Sequence, residues 1–265
     1  MYLRAARALD PPLERVAIPF AGRPGEGSEV VVYVRKPRGV ARPPVVVQWG
    51  GVDSFKEERQ PIAERFLEGG FATVSIDMPG TGESPLKGSV DAERQYTPVF
   101  AWLRAQPDLD GARIVALGGS FGGYWATKLA HTHHADLTAV CCWGGGAHLV
   151  FQPEWTARSR YADSYLNDLT ESRGNSLGIP SYDDYVAFVP RLSLLDQGLL
   201  DGPSAPLLLV NGKGDTQTPI EDFYLLMEHG APKTARVFPG GHMGQTPETL
   251  PTIVRWLRAQ VDRGQ

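Results

Sequence analysis

The sequence is poor in cysteine, in long apolar runs and in clustered charge, and each shortage narrows the field. Its 265 residues hold two cysteines, Cys141 and Cys142, adjacent within an apolar run. Neighbours on a strand point to opposite faces, which argues against a disulfide between them. A reduced, cytoplasmic protein is the simplest reading. No stretch approaches the ~18 apolar residues that span a bilayer. The start, MYLRAARALDPPLERV, lacks the apolar core of a signal peptide. Charge is nearly balanced, 26 basic against 30 acidic residues for a net of −4, with no basic run. The expected partner is therefore a small molecule rather than nucleic acid or a membrane.

What is present suits one globular domain with an insertion. Apolar runs of strand composition recur at Val16–Phe20, Val30–Val34, Val45–Trp49, Ala72–Asp77, Arg113–Gly118, Leu137–Trp143, Leu207–Gly212 and Ala235–Gly240. From the third onward they are nearly continuous, as in parallel strands covered on both faces. Helical segments are expected over Glu57–Glu68, Ala92–Ala105, Phe121–His131, Pro219–His229 and Glu248–Val261. The first two strands read as an antiparallel pair, and the alternation that follows implies a doubly wound α/β sheet. Ahead of it, Tyr2 to Leu9 reads as the end of a helix, a stub over residues 1–12 that docks on the body or on another subunit. Such a stub and an exposed final helix are both surfaces a homodimer could use.

From Gly144 to Pro203 no strand is expected. Two stretches there, from Ala147 to Leu169 and from Ser181 to Leu195, look helical. Together they form an insertion of roughly 55 residues, longer than an ordinary loop. It leaves the carboxyl end of a central strand, where open α/β sheets bind ligands. We read residues 144–203 as a helical lid after the sixth strand, and residues 13–143 and 204–265 as the core.

The stretch LGGSFGG places Ser120 between a strand and a helix in a G-x-S-x-G pattern. A serine on so tight a turn needs small residues two before and two after it, and the following helix aims its N-terminus at any negative charge that forms there. A phosphate loop is the competing reading, but G-x-x-x-x-G-K-[ST] is absent. A serine hydroxyl is a weak nucleophile and needs a base oriented by a third group. In this chain order the acid comes next and the histidine last, each after a later strand. Asp215 follows LLLVNG, and His242 follows ARVFPG. Both fall on the same rim as Ser120.

Other candidates have simpler explanations. His131, His133 and His134 could suggest a metal, but fit better as basic side chains near a helix C-terminus. His229 reads as surface and Asp201 as a turn residue. His148 opens the lid, as a substrate contact or as a surface residue. Acyl chemistry also needs donors for an oxyanion. The backbone N–H of Phe121 is the first, and that of Val52 or Asp53, beyond Gly50-Gly51, the second. The same glycines also fit a turn into a capped helix.

Taken together, WGGVDSFKEE, IDMPGTGES, LGGSFGGYWATK, CCWGGGAHL and GGHM resemble a branch of the α/β-hydrolase superfamily. It holds the fermentation–respiration switch proteins, 2,6-dihydroxypseudooxynicotine hydrolase and fungal polyketide chain-shortening hydrolases. The resemblance runs from about Leu13 to the C-terminus. It implies an α/β-hydrolase fold with a mostly parallel twisted sheet of about eight strands, Ser120, Asp215 and His242 as triad, and Phe121 with Val52 or Asp53 as oxyanion hole. Longer members carry a helical region ahead of the hydrolase domain, of which the stub would be the remnant. The carbon–carbon hydrolase of the branch also uses a lid glutamate, for which Glu154 is the candidate.

The expectation is a serine hydrolase acting on a carboxylic ester through an acyl-enzyme, without cofactor or metal. Aromatic residues of the lid suggest a small to medium apolar or aromatic substrate, with Trp143, His148, Glu154, Trp155, Tyr161 and Tyr165 as candidate contacts. Carbon–carbon bond hydrolysis of a β-diketone-like or aryl ketone substrate would use the same triad. A non-catalytic binding module would have no reason to keep nucleophile, base and orienter together.

Overall fold

The computed structural model describes residues 2–163, 165 and 168–263. Its sheet comprises β1 (Glu14–Pro19), β2 (Glu29–Arg35), β3 (Pro44–Trp49), β4 (Ala72–Ile76), β5 (Asp110–Gly119), β6 (Ala139–Trp143), β7 (Leu207–Gly212) and β8 (Thr234–Phe238). Each lies on one of the apolar runs. The order is β1-β2-β4-β3-β5-β6-β7-β8. As expected, β1 and β2 are antiparallel, β2 also runs antiparallel to β4, and the remaining pairs are parallel.

Side chains alternate between two apolar layers, one on each face. Val45, Val47, Trp49, Val140, Cys142, Leu207 and Leu209 fall in one, with Phe100, Leu129 and Leu226 from covering helices. Val46, Val115, Leu117, Cys141, Leu208 and Val210 fall in the other, with Phe66, Ile253 and Leu257. The two cysteines thus face opposite layers, both as free thiols. β8 departs from the expected double coverage. Four of its five residues are exposed, and it closes the sheet as an edge strand carrying Arg236.

The helices among the described residues are α1 (Tyr2–Ala5), α2 (Gln60–Glu68), α3 (Thr97–Ala105), α4 (Gly122–Thr132), α5 (Pro153–Ser159), α6 (Leu169–Leu177), α7 (Tyr182–Phe188), α8 (Glu221–Glu228) and α9 (Thr249–Arg263). The helices expected from Glu57 and Ala92 begin as 3₁₀ turns, Lys56–Arg59 and Ala92–Gln95, and become α-helical only at α2 and α3. Pro61 and Pro98 explain this. Proline has no N–H to donate, so an α-helix accepts it only in its first turn. The opening helix packs on the body, with Tyr2 stacked on Tyr33 at 5.6 Å and its hydroxyl accepting from Gln60 at 2.9 Å.

Between β6 and β7 the chain is strand-free among the described residues. The helix expected from Ala147 to Leu169 is realised as a 3₁₀ turn (Leu149–Phe151) and α5, ending at Ser159. Residues 164, 166 and 167 of that expectation lie outside the described residues. Asp168 then caps α6, accepting from the amides of Thr170 and Glu171. Gly174, Asn175 and two serines gave that helix no apolar periodicity. Ser181 caps α7, and the second expected stretch is α-helical to Phe188 and continues as a 3₁₀ turn, Val189–Leu192. Asp222 of α8 holds the start of the segment, its buried carboxylate accepting from the amides of His148, Leu149 and Val150 at 3.0, 2.8 and 3.1 Å.

The histidine cluster needs one correction. His131 is buried, and burial pulls its imidazole down to about 4. It is a neutral core residue, not a cation at a helix end. Among the described residues no group of three or more His, Cys, Asp or Glu is arranged to hold a metal.

Candidate active site

Ser120 follows β5 at φ 55°, a backbone conformation unusual for any residue but glycine. The reason it can stand there lies in its neighbours. A Cβ on Gly118, two before it, would sit 2.2 Å from the carbonyl oxygen of Gly122. One on Gly122, two after it, would sit 2.2 Å from that of Gly50. The turn therefore closes only over glycine.

Two loops from later strands meet this serine. The Ser120 hydroxyl lies 2.7 Å from His242 Nε2, and His242 Nδ1 lies 2.8 Å from Asp215 Oδ2. Asp215 also accepts from Asn211 Nδ2 at 2.7 Å and from the Gln217 amide at 2.7 Å. Burial alone would raise its carboxyl. The hydrogen bond and charge of His242, with Asn211 and the Gln217 amide, outweigh that and hold it below its ordinary value. A carboxylate only accepts, so Nδ1 carries the ring proton and Nε2 is left to accept from Ser120.

Asn211 was not anticipated, though a lone polar residue at the end of LLLVNG was its signal. It is fully buried, and its Oδ1 accepts from the amides of Gly212 and Met243 at 2.8 and 2.9 Å. One side chain thus fixes both the acid loop and the residue after the histidine. Met243 itself has φ 65°, and its carbonyl accepts from Trp143 Nε1 at 2.6 Å.

Opposite Ser120 is the loop after β3. A Cβ on Gly51 would stand 2.8 Å from that of Ser120, which only glycine permits. The N–H groups of Phe121, Val52 and Asp53 take no part in the loop and turn hydrogen bonds of the described residues. The loop is anchored from below by Lys56. Its amide and Nζ donate to the two oxygens of Asp77 at 2.8 and 2.7 Å, and Nζ also reaches Glu83 at 2.8 Å and Glu57 at 3.2 Å. Asp77 and Glu83 belong to IDMPGTGES, so this buried knot ties that stretch to the loop beside Ser120.

A cavity of about 630 Å³ opens over the serine. Ser120, His242, Asp53, Trp143 and Tyr165 line it, as does Arg59, which nothing in the sequence singled out. Trp155 and Tyr161 line a smaller cavity of about 160 Å³ with Asp215. Tyr161 is 72% exposed, and the Trp155 indole donates to the Gln217 carbonyl at 3.2 Å. Val52 is half-buried against the core and lines neither cavity.

Two expected contacts are elsewhere. His148 lines neither cavity; its ring pairs with Ser193 Oγ at 2.7 Å and its amide donates to Asp222 at 3.0 Å. Glu154 is exposed on the first turn of α5 and lines neither cavity.

Comparison with known proteins agrees with this fold. The sequence profile described as esterase FrsA-like matches residues 1–261. An esterase FrsA of Citrobacter koseri is 31% identical over 231 residues, covering 85% of this chain and 53% of that protein. The chain thus spans about half the length of the curated relatives it matches. The crystal structure of 2,6-dihydroxy-pseudo-oxynicotine hydrolase superposes with a TM-score of 0.83 at 26% identity, over 100% of this chain and 72% of that one. EstE1, a thermostable carboxylesterase from a metagenomic library, shares the fold at a TM-score of 0.68 and 17% identity, over 98% and 95%. The resemblance drawn from the motifs is borne out, and so is the α/β-hydrolase fold. No helix among the described residues is long and apolar enough to cross a membrane.

Proposed function

This chain belongs to the family of FrsA-like esterases, and on that premise we propose that it cleaves carboxylic esters through an acyl-enzyme on Ser120. The observation that carries the reading is the chain of hydrogen bonds from Ser120 through His242 to Asp215, built on a strained elbow.

His242 Nε2 takes the Ser120 proton as Oγ attacks the ester carbonyl. Asp215 keeps Nδ1 protonated and stabilises the imidazolium. Negative charge developing on the carbonyl oxygen is received by the amide of Phe121, at the N-terminus of α4, and by that of Val52 or Asp53. Collapse expels the alcohol, which leaves with the proton from His242. Water, activated by the same imidazole, then attacks the acyl-enzyme and releases the acid. No step calls for a cofactor or metal. The helical segment 144–203 serves as a lid, a reading supported by Tyr165 on the cavity wall and by Trp155 gripping the Gln217 carbonyl.

Carbon–carbon hydrolysis would need an acid to protonate the departing carbanion. Glu154, the candidate for that role, lies outside the cavity, which favours the ester reading. The test pairs wild type with Ser120→Ala, using a fluorophosphonate probe and short 4-nitrophenyl esters. Labelling and turnover confined to wild type are expected. A folded wild type that shows neither would sink the proposal.

A further inference from the structure

Arg59 stands in the wall of the cavity over Ser120. It is 7% exposed, and among the described residues no carboxylate lies within ion-pair distance of it. Among the described residues, Nε and Nη2 have no hydrogen-bond partner, and Nη1 has one long contact, 3.4 Å to Ser54 Oγ. Nη2 reaches to 3.9 Å from where a Cβ on Gly119 would be, one residue before Ser120. Buried charges in folded proteins are almost always paired, and this guanidinium, a donor only, is suited to an anion.

The other charged groups nearby do not fill that role. Glu58 shares the cavity but is exposed, and its carboxylate accepts the Phe55 amide at 2.8 Å. Asp53 is also exposed. Arg173, the other buried arginine near the elbow, already donates to the Gln217 carbonyl and lies over the Phe121 ring. Burial pulls the Arg59 guanidinium down to about 10 against the opposing charge of Glu58, so it remains a cation at neutral pH.

Resting on the reading of Ser120 as nucleophile, we propose that the preferred ester carries a carboxylate on its acyl chain, held by Arg59 beside the elbow. Guanidinium and carboxylate match as planar, bidentate partners. A charge-assisted pair of this kind contributes enough to favour the anionic substrate by ~10–100-fold. The substrate class shifts accordingly, from the purely apolar or aromatic ester suggested by the lid's composition to a half-ester of a dicarboxylic acid.

The test compares 4-nitrophenyl hydrogen adipate with 4-nitrophenyl hexanoate, whose acyl chains are equally long. Wild type is expected to show a kcat/KM ratio of ~10–100 for the adipate, falling to within a few-fold of unity in Arg59→Gln. A wild-type ratio near unity, or one that Arg59→Gln preserves, overturns the proposal. Failure of the nucleophile reading looks different, because neither ester is then turned over. In that event calorimetry with free adipate decides, on Ser120→Ala protein with and without Arg59→Gln. Binding lost on removal of Arg59 supports the anion site, and no binding in either protein overturns it.

Discussion

Lys56 and Arg59 lie one turn apart at the entry to the same helix, both buried, in opposite electrostatic surroundings. Lys56 has carboxylates from Asp77, Glu83 and Glu57 around its ammonium. Arg59, whose side chain forms part of the cavity wall, has none. Removing a charge from water costs several kcal/mol unless partners replace the lost solvation. Where the partners are supplied by the protein, the group serves the framework, here joining two loops beneath Ser120. Where they are missing, the protein has left the balance to something that binds. The same division holds for backbone strain, since Ser120 and Met243, the non-glycine residues at positive φ among those described, both line the cavity.

The largest expected effect tests the working side alone. Ser120→Ala should lower ester turnover by about 10⁶-fold while leaving the thermal midpoint close to wild type. Concurrent unfolding of that variant would mean the elbow is part of the framework after all.

Lys56→Met tests the framework side. It leaves Asp77 buried without its cation and should destabilise the fold by ~3–5 kcal/mol in urea unfolding. A loss of under ~1 kcal/mol would erase the distinction drawn between the two cations.

His131 shows how a third basic group escapes the problem, by staying neutral. Its folded pKa, about 4, lies below the ordinary 6.5, so the unfolded chain binds the extra proton as acid is added. The stability it protects is complete above pH 6.5 and should fall by up to about 3 kcal/mol as the pH drops to 4. His131→Gln should flatten that part of the pH–stability curve; an unaltered curve would remove the assignment.

The smallest effect is the sharpest comparison. Arg59→Met removes a charge with no protein partner, so it should raise stability by about 1 kcal/mol. A loss comparable to that of Lys56→Met would show that Arg59 has a structural partner.

Much of the fold was legible because its signals are local. Strand runs and glycine turns follow from residue type within a few positions. The segments expected from Glu57 and Ala92 turn α-helical only at Gln60 and Thr97, because Pro61 and Pro98 fit only the first turn of an α-helix. α6 went unseen because its residues carry no apolar stripe. In the site, Ser120, Asp215 and His242 were legible from chain order and position at strand ends. Asn211 left a faint trace, a polar residue ending an apolar strand. Arg59 left none, since EERQP reads like any charged helix start.

The sequence by itself determined the eight strands, the glycine elbow around Ser120 and the placing of acid and histidine beyond later strands. These depend on periodicity and on backbone sterics, which each short stretch carries within itself. Only the tertiary structure decided that three loops close to hydrogen-bonding distance, and that Tyr165 lines the cavity over the serine while His148 and Glu154 do not. It also decided which buried cation receives carboxylates and which is left for a ligand. Side-chain partners of that kind come from segments tens of residues apart, and only packing of the whole chain brings them together.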